Sequence, residues 1–319
     1  MDLTVRILTL LLLVPVAVLH AGEELVVRAD AAMAHREAFV AGEGGWRFLP
    51  AELRFAAALA SPEIGTKVAP AVVAISDFAA QLRALGIKLI VVPVPPKALL
   101  QGASLGLSPH EQEAMRSGWE KIMVELGSHE VTVVDLAPGF ASLADNPYCL
   151  RDTHWSGDGV SLAVAKILPL LEHAGLEVGH PAGAPPGDWT EKTITGDLGG
   201  EPEQVRLQFR NFDSNPAETK EHPLLLVGDS HLLVFHSGGD MHAAGAGLPD
   251  QLAAALGAMP DVIGVRGSGA TSSRVALARR ARSDTAYLSG KKVVVWCFAG
   301  REFTEADSWK MIPIQRKTP

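Results

Sequence analysis

Leu224-Leu225-Leu226-Val227-Gly228-Asp229-Ser230-His231 is the stretch on which the fold turns. A short, fully apolar run reads as a strand buried on both faces, the kind found in parallel sheets. It breaks at Gly228 into Asp-Ser, and a helical segment follows. Such a turn holds a serine hydroxyl at the rim of a sheet and leaves backbone N–H groups at the helix start, where an oxyanion is stabilised. A serine hydroxyl also needs a base. Arg151-Asp152-Thr153-His154-Trp155-Ser156 supplies an Asp and a His two positions apart, well upstream of Ser230.

Working outward, other apolar runs of the same kind alternate with helical patterns. Val68 to Leu85 has apolar residues at helical spacing (Val72, Ile75, Phe78, Ala79, Leu82), and Gly86 ends it. Lys88–Val92 is a strand stopped by Pro93 to Pro96 and Lys97. Ser108-Pro109 with Glu111 is the signature of a helix start, for a helix running to about Leu126. Val131–Leu136 is the next strand, and a helix from about Gly159 to Ala174 follows the Asp152/His154 loop. Pro249–Met259 is helical, Asp261–Val265 a strand ending in Arg266-Gly267-Ser268-Gly269, Ser272–Arg282 a helix, and Lys291–Trp296 the last strand. Residues 23 to 50 begin polar and end in a short strand with the aromatics Trp46 and Phe48. Residues 175–222, rich in Pro, Gly and charge, read as an irregular insertion. Strands alternating with helices predict an α/β fold, a three-layer α/β/α sandwich around a mostly parallel sheet, with ligands at the carboxyl ends of the strands. The candidate residues all fall at those ends.

Composition narrows the classes. With 319 residues and 47% hydrophobic content the chain can bury a full core. A net charge of −8 gives no basic face for nucleic acid. Residues 1–21 read as a signal peptide or an uncleaved N-terminal anchor: Arg6 precedes the apolar run Ile7–Leu19, with Ala17, Ala21 and Gly22 near its end. Residues 22–319 then form a single domain outside the cytoplasm, periplasmic, either soluble or tethered to the inner membrane. That compartment permits a disulfide between the two cysteines, Cys149 and Cys297, although two separate thiols fit the sequence equally well. His231, His236 and His242 lack metal-site spacing, and neither a metal nor a soluble cofactor is expected.

The order of these blocks resembles SGNH/GDSL hydrolases, cut at a different point of the same circle. Those enzymes begin with the Gly-Asp-Ser strand. This chain begins at the proline strand (Val91–Pro96), continues through Val134-Asp135-Leu136 and Asp152/His154, and only then reaches Ser230, Gly267 and Trp296. The permuted order, with Asp-Thr-His-Trp-Ser in place of Asp-x-x-His, is similar to the alginate O-acetyltransferase family of AlgJ/AlgX type. Gly45-Trp46-Arg47-Phe48, Val92–Lys97 and Val294-Val295-Trp296 share in the likeness. Two departures stand out. Phe298-Ala299-Gly300-Arg301-Glu302 replaces the third-block Gly-x-Asn-Asp of ordinary SGNH enzymes, and His231 follows the serine where the family more often carries Tyr or Ser. The carbohydrate-binding module appended to some members is expected to be missing, since the chain stops soon after its last strand.

The resemblance implies an exported polysaccharide O-acetyltransferase. Its triad would be Ser230 as nucleophile, His154 as base and Asp152 as its orienting carboxylate. The N–H groups of Ser230 and Gly267 would form the oxyanion hole, with Gly269 an equal alternative to Gly267. Arg301, Trp155 and Lys97 are the candidate substrate contacts, each with a competing reading as a packing or supporting residue. The implied partners are a polysaccharide such as alginate, a membrane-bound O-acyltransferase as acetyl donor, and other exopolysaccharide-secretion proteins. An SGNH carbohydrate acetylesterase with the same triad, and a non-catalytic polysaccharide-binding or assembly protein, remain the alternatives.

Overall fold

The computed structural model describes residues 21–178, 188–210, 220–267, 269–306 and 309–314. Residues 1–20 of the expected targeting segment, Ser268 and parts of the 175–222 stretch lie outside them. The chain opens with α1 (Ala21–Ala34), a two-stranded antiparallel pair β1 (Val40–Ala41) and β2 (Arg47–Phe48), and helices α2 (Pro50–Leu59) and α3 (Ile64–Arg83). Strand β3 (Lys88–Val94), one-turn α4 (Lys97–Leu100), α5 (Pro109–Ser128), β4 (Thr132–Val133), α6 (Ala137–Ala141) and α7 (Gly157–His173) follow. A hairpin of β5 (Trp189–Ile194) and β6 (Glu203–Gln208) leads to β7 (Leu224–Gly228), one-turn α8 (Ser230–Leu233), α9 (Leu248–Leu256), β8 (Asp261–Gly264), α10 (Gly269–Ser283), β9 (Val293–Ala299) and α11 (Glu302–Glu305).

The five core strands form one parallel sheet in the order β4-β3-β9-β7-β8. The last strand slots between the first and third, so Val91 and Val227 both lie beside Trp296. From β3 the chain steps outward to β4, and from β7 it steps outward in the opposite direction to β8. Right-handed crossovers that move in opposite directions must lie on opposite faces. Thus α5 and α10 cover one face together with α3, while α7 and α9 pack on each other over the second. On the first face Trp296 meets Phe78 of α3 edge-on at 5.4 Å and the Arg274 guanidinium of α10 at 5.2 Å. The point where the connections diverge is the crevice above β3, β9 and β7, where open α/β sheets bind ligands.

Most elements match the sequence reading, and the departures have physical causes. Ser108 caps α5 through a full capping box with Glu111, as its spacing predicts. Strand β4 is shorter than Val131–Leu136. Asp135 leaves the ladder to accept the Trp119 indole N–H at 2.8 Å and the Ala137 N–H at 3.0 Å. Helix α1 replaces an expected polar lead-in, the short strand ending at Phe48 is β2, and α2 lies where the sequence reading placed no element. The buried face of α1 is Leu25, Ala29 and Ala32, and alanine carries too little apolar area to register as a periodic signal. The stretch read as irregular contains the β5–β6 hairpin, which grips the loop described below. Among the described residues no single helix is long and apolar enough to cross a membrane.

Candidate active site

Strand β7 is buried throughout, and its last residue has to be glycine. A Cβ at Gly228 would stand 2.5 Å from the Cys297 carbonyl oxygen of β9 and 2.8 Å from the Leu232 Cβ. The absence of a side chain lets the chain turn straight from sheet into α8. Asp229 locks that turn: its carboxylate accepts the His231 N–H at 2.9 Å and the Ala299 N–H at 2.8 Å, tying the ends of β7 and β9 together. Ser230, half-buried, opens α8, and none of these bonds uses its own N–H or hydroxyl.

Burial pushes the Asp229 carboxyl up, but the His231 imidazole, Arg301 and the Ala299 N–H outweigh it and hold it at about 2, below its ordinary 3.8. A carboxyl depressed in the folded state stabilises the fold above its unfolded value and loses that contribution as pH falls through the folded one. The shift corresponds to about 2 kcal/mol, withdrawn between about pH 5 and pH 2. Urea unfolding of the wild type should lose at least that much over this range. Asp229→Asn should lack that portion of the pH dependence, and an equal loss in the variant would refute the assignment.

The Asp152/His154 loop is held from three sides. Within the loop, the Cys149 N–H donates to the His154 carbonyl at 3.1 Å and the Ser156 N–H to the Pro147 carbonyl at 2.8 Å. The Ser156 hydroxyl caps α7 by accepting the Gly159 N–H. From below, the buried Lys97 ammonium donates to the Asp152 carbonyl at 2.6 Å and the Arg47 carbonyl at 3.1 Å. From the outer side, the hairpin contributes Glu203, whose carboxylate accepts the Leu150 and Arg151 N–H groups at 2.6 and 2.7 Å. It also contributes Asp197, which accepts the Thr153 N–H at 2.8 Å and the Thr153 hydroxyl at 2.6 Å.

So held, Asp152 and His154 form a close pair, with Asp152 Oδ1 2.6 Å from His154 Nδ1. Burial opposes the charge on Asp152, but the hydrogen bonds from His154 and His242 and the Asp197 N–H hold its carboxyl well below the usual carboxylate range. A carboxylate only accepts, so His154 Nδ1 carries the proton and Nε2 presents a lone pair. That Nε2 is buried and has no partner among the described residues. The His154 ring lies 5.0 Å from the ring of His231, the residue after Ser230, and the Trp155 ring stands edge-on to His231 at 5.7 Å. The fold therefore brings together two sequence-distant motifs, the Gly-Asp-Ser turn and the Asp-Thr-His-Trp-Ser loop, at the carboxyl ends of β7 and β9.

The remaining candidates separate. Arg301, following β9, is mostly buried beside Glu302, and its charge acts on Asp229, His231 and Glu52. Gly267 is exposed just beyond β8 at φ +64, with open space at its Cβ position, whereas at Gly269 a Cβ would collide with the Glu302 carboxylate at 1.8 Å. Trp155 and Lys97 are corrections to the expected substrate contacts. Trp155 is 0% exposed and cannot offer a face to a sugar, and Lys97 is 1% exposed with its ammonium spent on two backbone carbonyls. Both support the loop instead. Cys149 and Cys297 are free buried thiols, so the bridge that the sequence left open is not formed.

Sequence reading missed four residues here. Glu52 lies on the first turns of α2, buried, and accepts the Lys97 N–H; burial raises its carboxyl against the charges of Lys97 and Arg301. Asp197, Glu203 and His242 come from segments without motif character. The donor atoms of Asp152, His154 and Asp197 lie within 4.8 Å of one another, as in a metal site. The hydrogen bonds given above already occupy the carboxylate oxygens of both acids.

Lys97 makes a direct test of the loop's support. Lys97→Met keeps the stem volume but leaves the Asp152 and Arg47 carbonyls without this donor, at roughly 1–3 kcal/mol for each buried group left unpaired. Urea unfolding should show a destabilisation of about 2–6 kcal/mol. An unchanged midpoint would mean that the ammonium does not hold the loop.

With this geometry in place, comparisons with known proteins assign the family. Residues 39–300 match the family described as SGNH hydrolase-like domain, acetyltransferase AlgX. No curated protein has a matching sequence. The O-acetyltransferase domain of Pseudomonas putida AlgJ superposes with TM-score 0.59 at 20% identity, covering 84% of this chain and 92% of that one. Pseudomonas aeruginosa AlgX matches at 19% identity over 75% of this chain and 57% of its own, with TM-score 0.49. Bacillus cereus PatB1 matches at 14% identity over 77% and 93%, with TM-score 0.48. The AlgJ likeness supports the fold, and the sequence match decides the family: this chain belongs to the SGNH hydrolase-like domains of the AlgX acetyltransferase family.

Proposed function

We propose that the protein is an exported polysaccharide O-acetyltransferase working through an acetyl-serine intermediate. The observation that carries this reading is the His154 imidazole. Its Nδ1 is bonded to a buried carboxylate, and its Nε2 is unpartnered beside the residue that follows Ser230. An imidazole oriented by a carboxylate, with its other nitrogen free, is what a general base requires, and this supports Ser230 as the nucleophile it serves.

The chemistry runs in two balanced halves. Ser230 Oγ attacks the acetyl carbonyl carbon of the donor while His154 Nε2 takes the hydroxyl proton. The donor oxygen leaves with that proton, and the acetyl ester of Ser230 remains. A sugar hydroxyl then gives its proton to His154 and attacks the ester, and the proton returns to Ser230 Oγ as acetylated sugar departs. Asp152 stabilises the imidazolium in both halves. The Ser230 and Gly267 N–H groups serve the oxyanion in this reading, since Gly267 is open where Gly269 is filled by Glu302. Arg301, beside Glu302 and close enough for its charge to act on Asp229 and His231, is the residue this reading assigns to an anionic sugar.

The apolar segment at residues 7–19 supports export, and the AlgX family match supports an exopolysaccharide such as alginate as acceptor. Outside the cytoplasm the acetyl donor would be a membrane-bound O-acyltransferase acting with other secretion proteins. Intact-mass measurement after incubation with 4-nitrophenyl acetate tests the reading, with and without a hydroxylated oligosaccharide. The expected result is an acetyl adduct on Ser230 that decays when sugar is added, yielding acetylated sugar. Free acetate released at the same rate without sugar would make the protein an esterase instead.

A further inference from the structure

Asp152 is bonded by two imidazoles, and the acetyl-transfer scheme uses only one. Its Oδ1 meets His154 Nδ1 at 2.6 Å, and its Oδ2 meets His242 Nε2 at 2.8 Å. His242 arrives from the loop between α8 and α9, 90 positions along the chain from Asp152. The same Oδ2 accepts the Asp197 N–H at 2.9 Å, so both carboxylate oxygens are saturated and the carboxylate plane is fixed.

The loop makes a conformational sacrifice to deliver this ring. His242 sits at φ +68 and ψ −45, the centre of a γ-turn closed by the Ala243 N–H on the Met241 carbonyl at 2.8 Å, a rare and strained backbone for a side-chain-bearing residue. Phe235, at the start of the same loop, sits at φ +59. Among the backbone bonds that knit the loop are Phe235 N–H to the Met241 carbonyl at 2.9 Å, Gly238 N–H to the Ala243 carbonyl at 2.8 Å, and Ala246 N–H to the Phe235 carbonyl at 2.9 Å. Its imidazole is nearly buried, with the Phe235 ring 6.1 Å away. A strained backbone held by its surroundings beside an active centre is a reason to look for a role.

We propose that His242 is a positioning residue for the Asp152–His154 couple, clamping the second carboxylate oxygen and sharing its negative charge with His154. The role in turnover rests on the acetyl-transfer reading given above.

The charged groups facing His242 are Asp152, Asp197 and Glu203 and, across the shared carboxylate, His154; on its own loop Asp240 is paired with Arg266. The hydrogen bond to Asp152 raises the proton affinity of His242, burial works against it, and the three carboxylates add to the rise. As pH falls, His242 therefore takes up a proton while Asp152 stays charged. Two imidazoles on one carboxylate feel each other's charge, so a cation on His242 disfavours one on His154. A cation on His242 thereby works against a proton on His154 Nε2, the atom that has to stay free in the acetyl-transfer scheme.

The test uses the whole protein. Nitrogen-15 NMR titration of the wild type should show the His154 and His242 rings protonating in two coupled steps. In His242→Gln, whose amide still donates to Oδ2 but carries no charge, the His154 ring should protonate at higher pH than in the wild type. The acid limb of 4-nitrophenyl acetate turnover should move up equally, with the plateau rate changed less than about threefold. His242→Ala, which removes the bond itself, should lower the plateau about 10- to 100-fold, by analogy with lost supporting partners elsewhere. A purely structural role would lower the plateau of both variants without moving the acid limb. Independent, single-step titration of the two rings in the wild type would overturn the proposal, and that readout needs no turnover. Coupled titration in a protein without Ser230-dependent turnover would refute the acetyl-transfer reading while supporting the His242 assignment.

Discussion

Ser230→Ala is expected to abolish acetyl-ester turnover and the acetyl adduct, with a loss of about 10⁵- to 10⁶-fold relative to wild type. A triad acts as a unit, so removing the nucleophile costs roughly as much as removing all its members, and only binding and oxyanion stabilisation are left. The fold should not notice. The Ser230 hydroxyl is half-buried and takes no part in the bonds that make the turn, which belong to Gly228 and Asp229. Alanine is also a better helix residue, so stability should stay within about 0.5 kcal/mol. Initial rates with 4-nitrophenyl acetate and a thermal melt decide the matter together. Retained turnover in a folded Ser230→Ala protein would remove Ser230 from the chemistry, and unchanged polymer acetylation in cells carrying that variant would favour a binding or assembly role.

Asp152→Asn is expected to cost about 10⁴-fold in the same assay, because the amide cannot satisfy its neighbours without disarming His154. Asp152 accepts from His154 on one oxygen, and from His242 and the Asp197 N–H on the other. If the amide oxygen faces His154, its NH₂ points at the Asp197 N–H, a donor against a donor. If the amide turns over, its NH₂ faces His154 Nδ1, which must become the acceptor. The ring proton then moves to Nε2, and the base is lost. Neither orientation supplies the negative charge that stabilises the imidazolium. The pH–rate profile adds a second check, since the residual activity should lack the limb set by His154. Activity within tenfold of wild type would show that Asp152 serves the loop alone.

Much of this was legible in the chain before any coordinates. Leu224–Gly228, Lys88–Val92 and Lys291–Trp296 are short apolar runs between helical patterns, and only a two-sided burial inside a parallel sheet accommodates them. Asp152, His154 and Ser230 stood out because a turn after a buried strand and a compact Asp-x-His pair are local features. Lys97 and Trp155 misled for a matching reason. A lysine after a run of prolines and a tryptophan beside a histidine look exposed in one dimension, and their 1% and 0% exposure arises only when α2, β3 and the loop close over them.

The chain alone carries the core strands, most of the helices between them and the two candidate motifs, because apolar periodicity, caps and turns act over a few residues. The tertiary structure alone decided how the centre is supported. Glu52 reaches the Lys97 N–H from 45 positions away, Asp197 reaches Asp152 from 45, and His242 from 90. None of these belongs to a motif, since each works through a contact that exists only once β7 and β9 have brought distant loops to one edge of the sheet. A lone His at a strained position in a glycine-rich loop carries no local signature. Its meaning comes from the carboxylate it meets, and chain folding alone supplies that carboxylate.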